Sequence, residues 1–199
     1  MGKHVDYYLS VVSPWTYLGH DRFVAICAQH GATIDLKPMD LGKVFPVSGG
    51  LPLKQRAPQR QAYRLVELAR WRDYLGMPLN VQPKFGASGG DPASCWLIAA
   101  LEIGTQPALD FAGAVMRARW GGERDIADAD TLARCASAAG LDGAAIATRA
   151  NAPEIAARYS TFTQEAIERQ VFGAPWYVVD GEPFWGQDRL EFVDRALGK

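Results

Sequence analysis

One run near the start of the chain, Y-Y-L-S-V-V-S-P-W-T-Y-L, constrains the fold more than any other. Val5 to Val12 are mostly β-branched, aromatic or aliphatic, as in a short buried strand. Ser13 follows at a helix N-cap position and Pro14 at the first helical position, where a missing N–H costs nothing. Trp15, Tyr17, Leu18, Phe23 and Ile26 then recur at helical spacing. A strand that turns directly into a helix sets the free N–H groups of that helix, and the positive end of its dipole, beside the Ser13 hydroxyl. That is a place for an anion, and a thiolate is an anion.

A second strand is expected at Ala32 to Met39, completing a βαβ unit. From Leu41 to Phe172 the punctuation is helical. Pro58 starts a helix to Leu75, and Asp91-Pro92 caps one through Ile103. Pro107 opens one through Trp120, Asp128 one to Ala139, Asp142 caps the next, and Pro153 starts a last one ending near Phe172. After Gly173 the strands return. Pro175 to Asp180 is a strand, Asp180-Gly181 a tight turn and Pro183-Phe-Trp its partner. A terminal amphipathic helix begins at Gly186, with Asp188 and Glu191 spaced as a capping box. The order βαβ, helices, ββα predicts an α/β thioredoxin-like fold with a large all-helical insertion. Residues 1–40 and 173–199 would form the thioredoxin-like part and 41–172 the insertion.

Composition excludes several function classes. A net charge of -1 provides no basic footprint for nucleic acid. No apolar run approaches the ~20 residues that span a bilayer, so no membrane span is expected. No signal peptide is read before the first strand, and a cytoplasmic protein is expected. Cys27, Cys95 and Cys135 have neither C-x-x-C nor metal spacing; they read as small buried hydrophobes without an activating basic neighbour, and no metal site is expected. His4, His20 and His30 are the only histidines. The G-A-S-G-G run from Gly86 to Gly90 imitates a nucleophile elbow, but Pro83 precedes it and no histidine follows it; it reads as a Gly-rich loop.

Three motifs carry a family resemblance: S-P-W-T-Y-L at Ser13 to Leu18, V-F-G-A-P at Val171 to Pro175, and D-G-E-P-F-W-G-Q-D-R-L at Asp180 to Leu190. G-G-L-P-L-K-Q-R (Gly49 to Arg56) and R-W-R-D-Y-L-G-M-P (Arg70 to Pro78) match more loosely. With them the chain resembles the 2-hydroxychromene-2-carboxylate isomerases, relatives of kappa-class glutathione transferases within the DsbA-like thioredoxin superfamily.

The resemblance implies glutathione as cofactor and a small aromatic carboxylate as substrate, and admits a homodimer. Ser13-Pro14-Trp15-Thr16 stands where a redox thioredoxin fold carries Cys-x-x-Cys, so disulfide exchange is excluded there. A serine without an adjacent base is a poor nucleophile, but it is a good donor to a thiolate brought from outside. Read alone, Ser13 only caps a helix; the end motifs favour the catalytic role. Pro175 is expected to follow a cis bond, which would leave the backbone of Ala174 to pair with glutathione. Trp185, Gly186, Gln187 and Asp188 would take its glutamyl end, through N–H groups or the Asp188 carboxylate. Gln55 and Arg56 resemble an Asn-Arg pair that the family places near the substrate, and Lys43 lies near the position of a family lysine. Arg60 and Arg64 continue from Arg56 at i+4 and i+8, a spacing more usual for a solvated helix face. Phe45, Trp15, Tyr63 and Phe85 could line an aromatic pocket, although aromatics more often fill a core. The implied reaction converts 2-hydroxychromene-2-carboxylate to trans-o-hydroxybenzylidenepyruvate in naphthalene-type aromatic degradation. The same thiolate site would equally serve a transferase or thiol-dependent reductase, and a non-catalytic thioredoxin-fold binding protein is the reading from another class.

Overall fold

The computed structural model describes residues 3–85 and 90–199. Its centre is a four-stranded mixed sheet in the order β2-β1-β3-β4. Strand β1 (His4–Leu9) pairs in parallel with β2 (Thr33–Pro38) and antiparallel with β3 (Trp176–Val179), which pairs antiparallel with β4 (Glu182–Trp185). Helix α1 (Pro14–Gln29) makes the crossover between β1 and β2. Every residue of β1 after His4 is buried, as a central strand covered on both faces requires. At the margin, β4 places Pro183 opposite Val178, and Asp180 and Gly181, both with positive φ, make its turn.

Between β2 and β3 the described residues form α2 (Leu41–Ser48), a 3₁₀ turn (Leu53–Gln55), α3 (Pro58–Leu75), α4 (Gly90–Leu101), α5 (Thr105–Trp120), α6 (Ala129–Ala138), α7 (Gly143–Ala150) and α8 (Pro153–Glu168). After β4 come a 3₁₀ turn (Gln187–Arg189) and α9 (Leu190–Leu197). Helices and sheet share one core: Val5, Tyr7 and Tyr177 belong to the same buried cluster as Leu97, Phe111 and Met116. Among the described residues, no helix is long and apolar enough to cross a membrane.

Several boundaries differ from expectation. Strand β1 ends at Leu9 rather than Val12, because the Ser13 N–H turns back to the Ser10 carbonyl (3.0 Å). Val11 is buried there by packing rather than by strand pairing. Helix α2 adds to the expected helices; Asp40 caps it through the Gly42 N–H (2.7 Å), and Pro46 inside it hides it from a sequence reading. Helix α8 stops at Glu168, not near Phe172, because Gln170 adopts a left-handed conformation (φ 60) and the Val171 N–H returns to the Ala166 carbonyl (2.9 Å). Helix α4 ends at Leu101 rather than Ile103 and begins before Asp91, whose Oδ1 accepts from the Tyr159 hydroxyl (3.1 Å) instead of capping. The capping box does not form: Asp188 pairs with Arg189 and Glu191 with Arg195. Of the expected Gly-rich loop, residues 86–89 lie outside the described residues.

Candidate active site

The turn from β1 into α1 sets Ser13 at the N-cap, with extended backbone (φ -82, ψ 123). Its Oγ accepts from the Thr16 N–H at 3.2 Å and donates to the carbonyl of Ala174 at 3.3 Å. No acidic side chain lies in the first turn of α1, so its positive end is left uncompensated. The Ala174–Pro175 bond is cis, as expected. The Pro175 carbonyl accepts from the Gly186 N–H (3.0 Å), tying the cis-proline loop to the end of β4. Four of the residues singled out from sequence, Ser13, Ala174, Pro175 and Gly186, thus form one linked constellation.

Around it, Trp185 is half exposed and stacks edge-on against Phe172, which meets Trp176 in the same way. Gly173 permits this approach: a Cβ there would lie 2.6 Å from the Trp185 Nε1. Gly186 takes φ 98, and its missing side chain leaves room for the Asp188 carboxylate to fold back over it. Asp188 is partly exposed, and its Oδ2 accepts from Arg189 at 2.7 Å. The Gln187 side chain turns inward, where its Oε1 accepts from Arg22 (2.9 Å), so only its backbone N–H is left for a ligand. The 3₁₀ turn that Gly186 opens has no side-chain cap.

The residues assigned to the substrate lie on the next layer. Val44 is buried in one cluster with Ala174 and Trp176, which fixes α2 beside the cis-proline loop. Lys43 and Gln55 are exposed. Arg56 donates from Nε to the Leu51 carbonyl (2.8 Å) and lies 5.9 Å from the centre of the Phe45 ring. None of these three hydrogen-bonds to Ser13 among the described residues. Of the remaining aromatics, Trp15 packs against the main core, Tyr63 is exposed, and Phe85 sits beside Lys84.

No histidine serves Ser13 as a base. His20 is buried, with Nε2 on the Leu109 carbonyl (2.9 Å) and Nδ1 on the Tyr7 hydroxyl (3.2 Å), and burial holds its pKa down. Cys135 lines a groove of about 270 Å³ between α5 and α6 with Arg117, Arg124 and Arg134, but none of these makes it a thiolate. Burial outweighs those charges and keeps its pKa raised. Cys95 is only half-buried.

Two features escaped the sequence reading. Thr16, fully buried in the position of the second cysteine of a redox motif, has an Oγ1 without a hydrogen-bond partner among the described residues. Below the sheet, buried Lys37 bonds Asp6 (2.9 Å), Glu165 (2.6 Å) and Asp35 (3.2 Å), and Arg169 bonds Asp6 (3.0 Å). The Tyr8 hydroxyl also donates to Glu165 (2.7 Å). His4, Asp6 and Asp35 lie close enough together to ligate a cation, but the Lys37 ammonium already answers both carboxylates.

Comparison with known proteins gives the family of the chain. Residues 4–198 match the DSBA-like thioredoxin domain. The 2-hydroxychromene-2-carboxylate isomerase of Sphingobium xenophagum is 30% identical over 99% of both chains. That of Pseudomonas putida is 28% identical over 98% of this chain and 94% of its own. A solved 2-hydroxychromene-2-carboxylate isomerase superimposes with a TM-score of 0.83 at 28% identity, covering 98% of this chain and 94% of the other. The chain belongs to the DSBA-like thioredoxin family and, within it, to the group of the 2-hydroxychromene-2-carboxylate isomerases.

Proposed function

We propose that the protein is a glutathione-dependent isomerase that converts 2-hydroxychromene-2-carboxylate to trans-o-hydroxybenzylidenepyruvate. The observation that carries this reading is the meeting of the Ser13 hydroxyl, at the positive end of α1, with the carbonyl of Ala174 before cis-Pro175. The family to which the chain belongs supports the isomerase part. The residues fit glutathione: an uncompensated helix N-terminus for its sulfur, a buried Thr16 hydroxyl without a partner among the described residues, and a glycine-lined turn at Gly186 for its glutamyl end.

When bound, glutathione would supply a thiolate able to add reversibly to a conjugated carbon framework and so free a double bond to rotate. Ser13 donates a hydrogen bond to that sulfur and, with the α1 N-terminus, favours its ionised form. The backbone of Ala174 pairs with the cysteinyl segment. Asp188 holds the glutamyl ammonium, and Trp185 with Gly186 shapes the rim. Arg56, with Lys43 or Gln55, fixes the substrate carboxylate. Two measurements test the reading: titration calorimetry with glutathione, and an absorbance assay with the chromene carboxylate with and without it. Tight binding and thiol-dependent turnover are expected; turnover without added thiol would refute it.

A further inference from the structure

Helix α1, which carries Ser13 at its start, is held near its middle to the turn that follows β4. Arg22 donates from Nη1 to the Oε1 of Gln187 at 2.9 Å, across 165 residues of chain. Gln187 is only 2% exposed, so its amide is an interior contact made by a turn three residues long. Gly19 lies one helical turn before Arg22, hence on the same face, and lets that turn come close. A Cβ at Gly19 would lie 2.6 Å from the Cβ of Gln187 and 3.2 Å from the hydroxyl of Tyr177, which is fully buried. The turn thus packs directly on the helix backbone, and the bond from Arg22 fixes it there.

The partner that Arg22 takes is informative. A guanidinium bonds most strongly to a carboxylate. Two carboxylates flank this contact in the chain, Asp21 beside Arg22 and Asp188 beside Gln187. Asp21 pairs instead with Arg117 (3.2 Å) and Asp188 with Arg189 (2.7 Å). Among the described residues Arg22 is paired with no carboxylate and bonds a neutral amide. The turn is therefore anchored without any charge of Arg22 being spent on Asp188, whose carboxylate stays partly exposed and folded back over Gly186.

A 3₁₀ turn of this length has poor hydrogen-bond geometry of its own. Within it the Arg189 N–H returns to the Gly186 carbonyl (3.2 Å), and no side chain caps it. Two tertiary bonds hold it instead. The Gly186 N–H reaches the Pro175 carbonyl (3.0 Å), and Gln187 reaches Arg22. One ties the turn to the cis-proline loop, the other to the helix of Ser13.

We propose that Arg22 is a positioning residue: through Gln187 it holds residues 186–188 so that the Asp188 carboxylate meets the glutamyl ammonium of glutathione. This rests on the function proposed above. One rigid helix then sets both ends of the bound tripeptide, its sulfur through Ser13 and its glutamyl group through Arg22 and Gln187.

The test is calorimetric titration of the full chain with glutathione, beside KM for glutathione and kcat in the chromene carboxylate assay. Arg22→Met removes the donor; Gln187→Met removes the acceptor but no charge. Each should weaken glutathione binding about five- to tenfold. The double variant should lose no more than either single one, because both break the same bond. In Arg22→Met, KM for glutathione should rise with kcat within about twofold of wild type, since Arg22 acts on the glutamyl end and not on the sulfur. Arg22→Lys keeps a donor for this single bond and should bind glutathione within about threefold of wild type.

Unchanged affinity in Gln187→Met would overturn the inference by assigning any effect of Arg22 to its charge, and additive losses in the double variant would overturn it too. So would a fall of kcat in Arg22→Met with KM unchanged. Arg22 is half-buried, so Arg22→Met should fold; should Gln187→Met not fold, the split between KM and kcat in Arg22→Met decides. Absence of glutathione binding in the wild type is a distinct result, which would refute the function proposed above and this inference with it.

Discussion

The Ser13 Oγ donates to the carbonyl oxygen of Ala174, 3.3 Å away and 161 residues later in the chain. A hydroxyl has one proton, so a thiolate arriving at Ser13 must draw that proton away from Ala174. Ser13→Ala should therefore lose most glutathione-dependent turnover and raise the thiol pKa of bound glutathione. The lost N-cap should cost about 1 kcal/mol of stability, which leaves the fold intact. Ultraviolet thiolate absorbance against pH, compared in wild type and variant, checks this; superimposable titrations would remove Ser13 from the mechanism.

Asp188 neither caps α9 nor is buried, and its ion-pair partner among the described residues is the exposed Arg189. Asp188→Asn should move the unfolding midpoint little, within about 0.5 kcal/mol. Loss of a charge-assisted bond to the glutamyl ammonium should weaken glutathione by roughly 1.5–3 kcal/mol. Calorimetric titration beside thermal unfolding separates the two, and unchanged affinity would confine Asp188 to its ion pair.

The Lys37 network sets the pH range of stability. Burial pushes the Asp6 carboxyl up, but the hydrogen bond and charge of Lys37, with Arg169, outweigh it and hold Asp6 below the usual carboxylate range. Glu165 is held down in the same balance by Lys37 and Tyr8. For Lys37, burial lowers the pKa, and the bonds to Glu165, Asp6 and Asp35 more than reverse that. Depressed carboxyls contribute fully above their unfolded pKa values of about 4 and lose that contribution as pH falls through the folded values. The raised lysine contributes fully below about 10.4 and loses its share as pH climbs through the higher folded value. Stability should be level from about pH 5 to about pH 10 and fall on either side. Lys37→Met removes the cation shared by three carboxylates, leaving Asp6 to Arg169 and Glu165 to Arg169 and Tyr8, and should cost about 3 kcal/mol at neutral pH while flattening the acid limb. Denaturant unfolding at a series of pH values checks both.

The three cysteines should be dispensable. Burial pushes the Cys27 thiol up to about 12, and it also raises Cys95 and Cys135. A folded triple Cys→Ala variant should keep its glutathione-dependent rate, and dialysed wild type should be inactive without added thiol. Loss of activity from any single cysteine change in a folded protein would place the reacting thiol in the chain.

What the sequence disclosed was local chemistry. Ser-Pro at a helix start, Gly-Ala-Pro before a strand and Asp-Gly in a hairpin each specify backbone geometry within a few residues, and Ser13, Pro175 and the β3–β4 turn lie where those signals put them. Helix α2 was hidden by Pro46, and the end of α8 by a left-handed Gln170, where no glycine gives warning. The charge network was illegible for a different reason. Lys37 meets Glu165 across 128 residues and Arg169 meets Asp6 across 163, and no spacing rule links a strand to a helix that far away. Of the expected site, the thiolate side follows from capping rules, whereas the carboxylate side depends on how α2 and α3 pack.

The proline in the outermost strand reaches beyond this one sheet. Strand β4 is four residues long, and Pro183 has no N–H to offer along its free side. An extended segment of another molecule arriving there finds a broken row of donors beside the charged Glu182. Strand addition at this border is thereby disfavoured, even though the neighbouring Trp185 is open to solvent.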